Sequence, residues 1–571
     1  MSEFFSVLPM HFLQWLVVVG VASLVFFIVG VLVSFAQNGS SAPVVLGATF
    51  VRAIRDLTLL SPRRILALTK LTFIEAYRRK AFAVGVVFLA ILMFSGWFVK
   101  ASNRDSIAPY IATVITPAWM LLVPMSLLVS CWGIPADVKE RSLHTVVTKP
   151  VRRSEIVIGR MLGYALVMTI LLGIVAATNY VWLMRQVPAH LRDQLVARVP
   201  VYGALTHLDR QGLPAEKGIN VGDQWEFRSY IEGQTKSRAI WTFHHLDIPT
   251  LKKLDSLPLE QQFEAFRTAK GIVSAETSFN LTLINEESGL RVTLPDRFSV
   301  HEFSVGGRKR VIEIPHQIPF DASLTVGRAA PVGEGEPLPI DLFEELVEHD
   351  KTVSYTDKDG KRQTSQLGDC ITVEIACFEA QQFIGVNPAD MFIRMPDHSF
   401  VANYLKAVTG IWLLLMLLVI FGTTSSCFVK GPVATILCCG ILILGYHLGN
   451  HLDIQRAQLA VSGKIEGGGP LESMYRLVTK RSDLPDNMGT RVIKLVDQGA
   501  NSMLYVTQMA VPDLRKFSTE AKDLQLGLDI SRGFDIPFYD MVYRFLIVIS
   551  YFIPMVVLGY FSLQLRELEH R

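Results

Sequence analysis

Seven apolar runs constrain this chain more than anything else in it: Phe12–Ala36, Phe82–Val99, Ile111–Ile134, Val157–Met184, Val401–Val429, Val433–Tyr446 and Val542–Leu565. A run of about 20 apolar residues crosses roughly 30 Å of hydrocarbon as a helix, which satisfies every backbone N–H and C=O within the segment. The sixth run is the shortest. Charged residues make up 19% of the 571, below the roughly one quarter of a soluble chain. A net charge of +3 gives no nucleic acid a reason to bind. Six cysteines at this length exclude a disulfide scaffold. Cys131, Cys427, Cys438 and Cys439 fall in or beside apolar runs, where they read as small packing residues.

Arginine and lysine in short loops set the orientation of the spans, because such loops stay in the cytoplasm. Arg52, Arg55, Arg63, Arg64, Lys70, Arg78, Arg79 and Lys80 lie between the first and second runs. Lys139, Arg141, Lys149, Arg152, Arg153 and Arg160 lie between or at the edges of the third and fourth. Lys430 follows the fifth, and Arg566 and Arg571 follow the last. Alternation puts all four loops on the cytoplasmic side, with the N-terminus and two long polar segments outside. The leader Met1–Met10 holds Glu3 and no Lys or Arg, so an uncleaved anchor is expected rather than a signal peptide.

The expected organisation is an extra N-terminal span (1–36), a cytoplasmic linker with an amphipathic helix (37–81), and three spans (82–185). A large β-rich exterior domain follows (186–400), then two spans (401–449), a smaller helical exterior segment (450–540), and the last span with its tail (541–571). The fold class is thus an α-helical multi-pass membrane protein carrying exterior domains.

Residues Pro62–Phe82 read as an amphipathic helix, with Ile65, Leu68, Leu71, Thr72 and Ile74 near helical spacing. Such a helix lies in the membrane interface, its basic residues on anionic headgroups; the plainer alternative is an ordinary positive flank. After Pro135 a helix break is expected, then a short charged helix over Asp137–Thr148 stopped by Pro150. Ser154 is expected to cap the next span, with Glu155 in its first turn. The whole loop, 135–156, makes a short lever between two spans.

The succession from the E-A-Y-R-R-K ending of that amphipathic helix, through two spans, to D-x-K-E-R-S-L-x-x-x-x-x-K-P-V-R-R-x-E and a span opening I-G-R-x-L-G resembles permease subunits of the ABC type-2 exporter class. It includes the branch linked with multi-copper enzyme maturation. Ser426–Gly440 and the last span also look like the second half of such a permease. The resemblance covers the six spans from Phe82 onward, under half of the chain, and the first span and both polar segments are additional to it. It implies that 135–156 is a coupling helix seated in a groove of an ATP-hydrolysing subunit. Asp137, Glu140, Arg141, Pro150, Arg152, Arg153 and Glu155 would form the docking segment, and Glu75, Arg78 and Arg79 would lie on the elbow helix.

No G-x-x-x-x-G-K-[ST] phosphate loop occurs in the sequence. ATP and magnesium therefore belong to a separate ATP-binding subunit, and this chain itself is expected to bind no cofactor and to be no enzyme. Six spans also imply a second permease copy or a sister subunit, with membrane lipid around both. Two functions follow as expectations: a permease driven by that ATPase in export or extraction, or a non-transporting anchor that passes mechanical signals to an exterior binding domain.

In 186–400, period-two alternation predicts strands at Arg291–Leu294, Phe298–Val305, Arg310–Ile314 and Cys370–Phe378, plausibly in a sandwich, with helices at Leu257–Thr268 and Leu342–His349. In 450–540, Leu471–Thr479, Gly489–Gly499 and Phe517–Leu528 read as helices. No catalytic constellation is present. His447 and His451 share a helical face in metal-ligand spacing, but Leu448 stands where a metalloprotease needs its glutamate; two polar residues at the membrane boundary are the more ordinary reading. The adjacent His244 and His245 point to opposite sides of a strand and do not suit one metal. Cys370 and Cys377 can bridge only if the chain turns between them. Arg185 and Arg544 read as anchors at the outer ends of their spans. Asn280-Leu281-Thr282 matches a glycosylation acceptor, silent in the bacterial-type membrane that the resemblance implies.

Overall fold

The computed structural model describes residues 42–78, 107–139, 151–215, 229–267, 276–301, 310–328, 338–356, 362–380, 382–445, 470–479, 488–497 and 533–569, with isolated positions elsewhere. The chain divides into two compact units, Met1–Leu195 with Phe400–Arg571, and Val196–Ser399.

The first unit is helical. Its elements are α1 (Ala42–Thr58), α2 (Pro62–Arg78), α3 (Ala108–Lys139), α4 (Arg153–Gln186), α5 (Phe400–Phe428), α6 (Gly431–Gly445), α7 (Pro470–Thr479) and α8 (Phe538–Glu569). Of these, α3, α4, α5 and α8 are long and apolar enough to cross a membrane, and α6 is a shorter apolar helix. They match the third to seventh apolar runs. The first two runs lie largely outside the described residues. The interior is apolar, and α5, the most enclosed of the long helices, packs against α3, α4 and α8. Sparse polar pins cross it: Trp412 Nε1 donates to Thr169 Oγ1 at 2.8 Å, Tyr404 Oη to the Ala176 carbonyl at 2.8 Å, and Thr424 Oγ1 to the Met555 carbonyl at 3.2 Å.

Prolines inside these helices are absorbed rather than obeyed. Helix α3 runs through Pro117, Pro124 and Pro135 to Lys139, so the break expected at Pro135 is absent. A proline removes one i→i−4 hydrogen bond, a loss that buried membrane helices tolerate where neighbours re-satisfy the freed carbonyl. At Pro554 of α8 the compensation is visible, because the carbonyl it orphans, that of Ser550, accepts a hydrogen bond from Trp15 Nε1 at 3.1 Å.

The second unit is β-rich, a half-barrel rather than two matched layers. It is entered through β1 (Val196–Leu208) and left through β17 (Met391–Ser399), and Val196 pairs with Ser399. Both chain connections therefore leave at one spot. Beside β1, the dominant sheet continues through β4 (Arg238–Phe243), β15 (Arg362–Cys377), β7 (Glu276–Asn285) and β8 (Leu290–Thr293). On the other side of β17 lie β5 (Ser256–Gln261) and β10 (Arg310–Pro315). A separate three-stranded sheet joins β3 (Ser229–Glu232), β16 (Gln382–Val386) and β6 (Glu264–Arg267). Strand β4 alternates half-buried and buried residues along its length, the period-two pattern of a sheet with one face on a core. That core holds Trp241, Phe263 and Phe279 in series, the first pair tilted and the second edge-to-face, with ring centroids 5.6 Å and 5.4 Å apart.

The strands expected in this unit are present as β8, β9 (Phe298–His301), β10 and β15. The two expected helices are not. Leu257–Thr268 forms strands β5 and β6, and Leu342–His349 is a single helical turn, Leu342–Leu346, leading into strand β14 (Glu348–Thr356). Strand β5 is paired on both sides, by β10 and β17, and that pairing overrides the helix-forming Leu, Glu and Gln of its sequence. In the 450–540 segment, α7 and a helix over 488–497 fall where helices were expected, and Phe517–Leu528 lies outside the described residues.

Candidate functional site

The polar residues singled out in the sequence converge at the start of α4. Its N-cap is Arg152, not Ser154, and Glu155 is the third helical residue. The Glu155 carboxylate is fully buried. It accepts from its own cap, Arg152 N–H, at 3.1 Å, and from Ser61 N–H, at the start of α2, at 2.9 Å. Arg64 lies 3.4 Å from the same carboxylate. One negative charge thus bridges the positive ends of two helices, the arrangement that unsatisfied first-turn N–H groups and the helix dipole favour.

Arg152 does the converse. Its guanidinium donates to the carbonyls of Arg55, at 3.0 Å, and Leu59, where α1 ends and leaves C=O groups without helical partners. Asp56 lies 3.8 Å from Arg152 and accepts from Tyr560 Oη of α8 at 3.2 Å. Ser154, released from capping, donates through Oγ to the Asp56 carbonyl at 2.5 Å. Four helices, α1, α2, α4 and α8, therefore meet in one network.

Helix α2 then runs close along α4. An added Cβ on Gly159 would lie 2.6 Å from Leu68 Cβ, and one on Gly163 2.4 Å from Thr72 Cβ. Both glycines are needed for that approach. The buried side chains of α2 are Leu68, Thr72 and Ala76, while Leu71 and Ile74, expected on the apolar face, are exposed. An Arg160–Glu75 ion pair closes the far end of the contact.

Of the predicted site residues, Glu75, Arg152 and Glu155 are built into this junction, and Arg153 is half-buried beside Tyr560. Asp137 continues α3, and Arg78 is exposed at the end of α2. Glu140, Arg141, Pro150 and Arg79 lie outside the described residues, as do His447 and His451. Asp56, Ser61 and Tyr560 escaped the sequence reading, and Arg64 and Arg160 entered it as topology charges alone. Ser61-Pro62, a capping residue followed by proline at the first helical position, was the readable signal for a helix start there.

No family model, curated protein or solved structure matches this chain.

The other candidates resolve into structural roles. Among the described residues no group of three His, Cys, Asp or Glu side chains is arranged to hold a metal. Cys370 and Cys377 sit on the single strand β15, both as free thiols. His244 Nδ1 lies 3.5 Å from Cys370 Sγ. Burial pushes the Cys370 thiol up to about 11 and, with His245 and Lys351 adding, pushes the His244 imidazole down. A protonated thiol beside a neutral imidazole is no activated nucleophile. Arg544 is buried within the helical unit rather than anchored at an interface, whereas Arg185 in the last turn of α4 is exposed. Among the buried carboxylates of the β unit, Glu260 is held between Arg198 and Arg394, with Asp397 on Arg394.

Proposed function

We propose that this chain is the membrane-spanning permease subunit of an ATP-driven transporter, moved by a separate ATP-binding subunit that docks on the segment from Asp137 to Arg153. The observation that carries this reading is the Glu155 bridge. A segment that emerges from α3 and enters α4 has at its exit a buried carboxylate holding α2 and α4 together, and an arginine holding α1. Force applied to the segment acts on these helices as one body, because displacing α4 alone would leave buried backbone donors without partners. The arginine-rich loops then face the cytoplasm, and the β unit lies outside.

The second reading, a non-transporting transmitter, draws on the β unit. Its entry and exit strands pair at Val196 and Ser399, so both chain connections leave the unit at one spot, which suits a receptor domain presented by the spans. Copurification in mild detergent tests the shared premise. The native chain is expected to bring down an ATPase with a phosphate loop, and an Asp137→Ala, Glu140→Ala, Arg141→Ala variant of unchanged gel-filtration profile is expected to lose it. Retention of the ATPase by that variant contradicts the docking assignment.

A further inference from the structure

Helix α1 has one side fixed and one side bare. Its fixed side carries Ala53, the one side chain buried on this helix among the described residues, and Asp56. That side is held by Arg152, Ser154 and Tyr560. The opposite arc carries Val44, Phe50, Val51 and Ile54, of which Val44 is 76% and Val51 67% exposed. The 3.6-residue period groups these four along one face. Arg52 and Arg55, both exposed, rim that face on one edge.

An apolar arc of this size open to water would be an aggregation site on a soluble protein. Here its level in the molecule points elsewhere. Helix α4 has 34 residues, about 51 Å at 1.5 Å per residue, well beyond the roughly 30 Å of hydrocarbon. Its first turn therefore falls in the headgroup zone, and α1 is fastened to that turn. A helix with an apolar face, an arginine rim and an anchor at headgroup depth has the features of an interfacial helix on an anionic leaflet.

We propose that α1 reads anionic lipid: Val44, Phe50, Val51 and Ile54 enter the acyl boundary, and Arg52 and Arg55 take phosphodiester headgroups. Because Arg152 grips the last carbonyls of α1, lipid engagement bears directly on the start of α4. That the leaflet is the cytoplasmic one rests on the orientation proposed above; the lipid contact does not.

The test places a benzophenone amino acid at Val51 or Ile54 of the full-length chain, in vesicles of three parts phosphatidylcholine to one part phosphatidylglycerol. Irradiation is expected to add a lipid mass to the α1 peptide, with phosphatidylglycerol enriched above its one-quarter share. Arg52→Glu with Arg55→Glu is expected to lower the ratio of phosphatidylglycerol to phosphatidylcholine adducts by at least fivefold, since each basic residue near an anionic surface contributes about that factor. An adduct with a polypeptide, or lipids captured in their mixing ratio by the native chain, overturns the proposal. Assaying bound ATPase on the same samples separates the two readings, because lipid capture is expected whether or not an ATPase is present.

Discussion

Replacing Glu155 by alanine should loosen the start of α2 from α4. The carboxylate accepts two backbone N–H groups, from Ser61 at 2.9 Å and Arg152 at 3.1 Å. Hydrogen bonds to a charged acceptor contribute about 1.5–3 kcal/mol each, and the orphaned donors cost a similar amount if they stay dry. The Arg64 pair adds little, since that side chain is 40% exposed and surface pairs contribute about 0–1 kcal/mol. The two bonds sum to about 3–6 kcal/mol against local opening. At 1.4 kcal/mol per tenfold, amide hydrogen exchange across residues 59–64 and 152–158 should accelerate by roughly 150-fold or more. Glu155→Gln keeps one acceptor oxygen and loses the charge, so about tenfold is expected. Exchange in the alanine variant within threefold of native would refute the bridge as the element that holds these helices together.

Other consequences are checked more simply. Gly163→Ala puts a methyl group 2.4 Å from Thr72 Cβ; overpacking of that kind costs about 1–3 kcal/mol, and a melting temperature in detergent unchanged within a degree would show that α2 and α4 are not in close contact. His207 is buried, its Nδ1 has no hydrogen-bond partner among the described residues, and burial lowers its pKa. The folded state then binds fewer protons than the unfolded state between the lowered value and about 6.5, so stability is lost as pH falls below about 6.5. Exchange of β1 and β4, corrected for the intrinsic rate, should rise over that window and rise less in His207→Asn. All six cysteines are free, so alkylation of the denatured, unreduced chain should add six labels; four would reveal a disulfide.

The sequence exposes some levels of this molecule and hides others, for physical reasons. The runs that became α3, α4, α5, α6 and α8 were readable because a lipid-facing helix must be apolar over its whole length. The start of α4 was placed almost correctly from Pro150 and the charged turn after it. Ser154 does not cap it, because its hydroxyl has a better acceptor in the Asp56 carbonyl of another helix. Long-range partners of that kind leave no mark in local spacing. Asp56 and Tyr560 are 504 residues apart in the chain, and neither belongs to a motif. In the β unit, β8 and β10 announced themselves through alternation. Strand β5, Ser-Leu-Pro-Leu-Glu-Gln, carries helix-forming residues with Pro258 where a helix would take it in its first turn, so only its pairing with β10 and β17 decides the strand.

A motor is proposed to dock between α3 and α4. Photo-crosslinking in intact membranes from a benzophenone residue placed in turn at Asp137, Glu140, Arg141 and Arg153 tests it most directly. A polypeptide adduct is expected from at least one of the first three positions, with a partner that carries a G-x-x-x-x-G-K-[ST] loop. Capture of lipid alone at all four positions, with the chain correctly inserted, would contradict it.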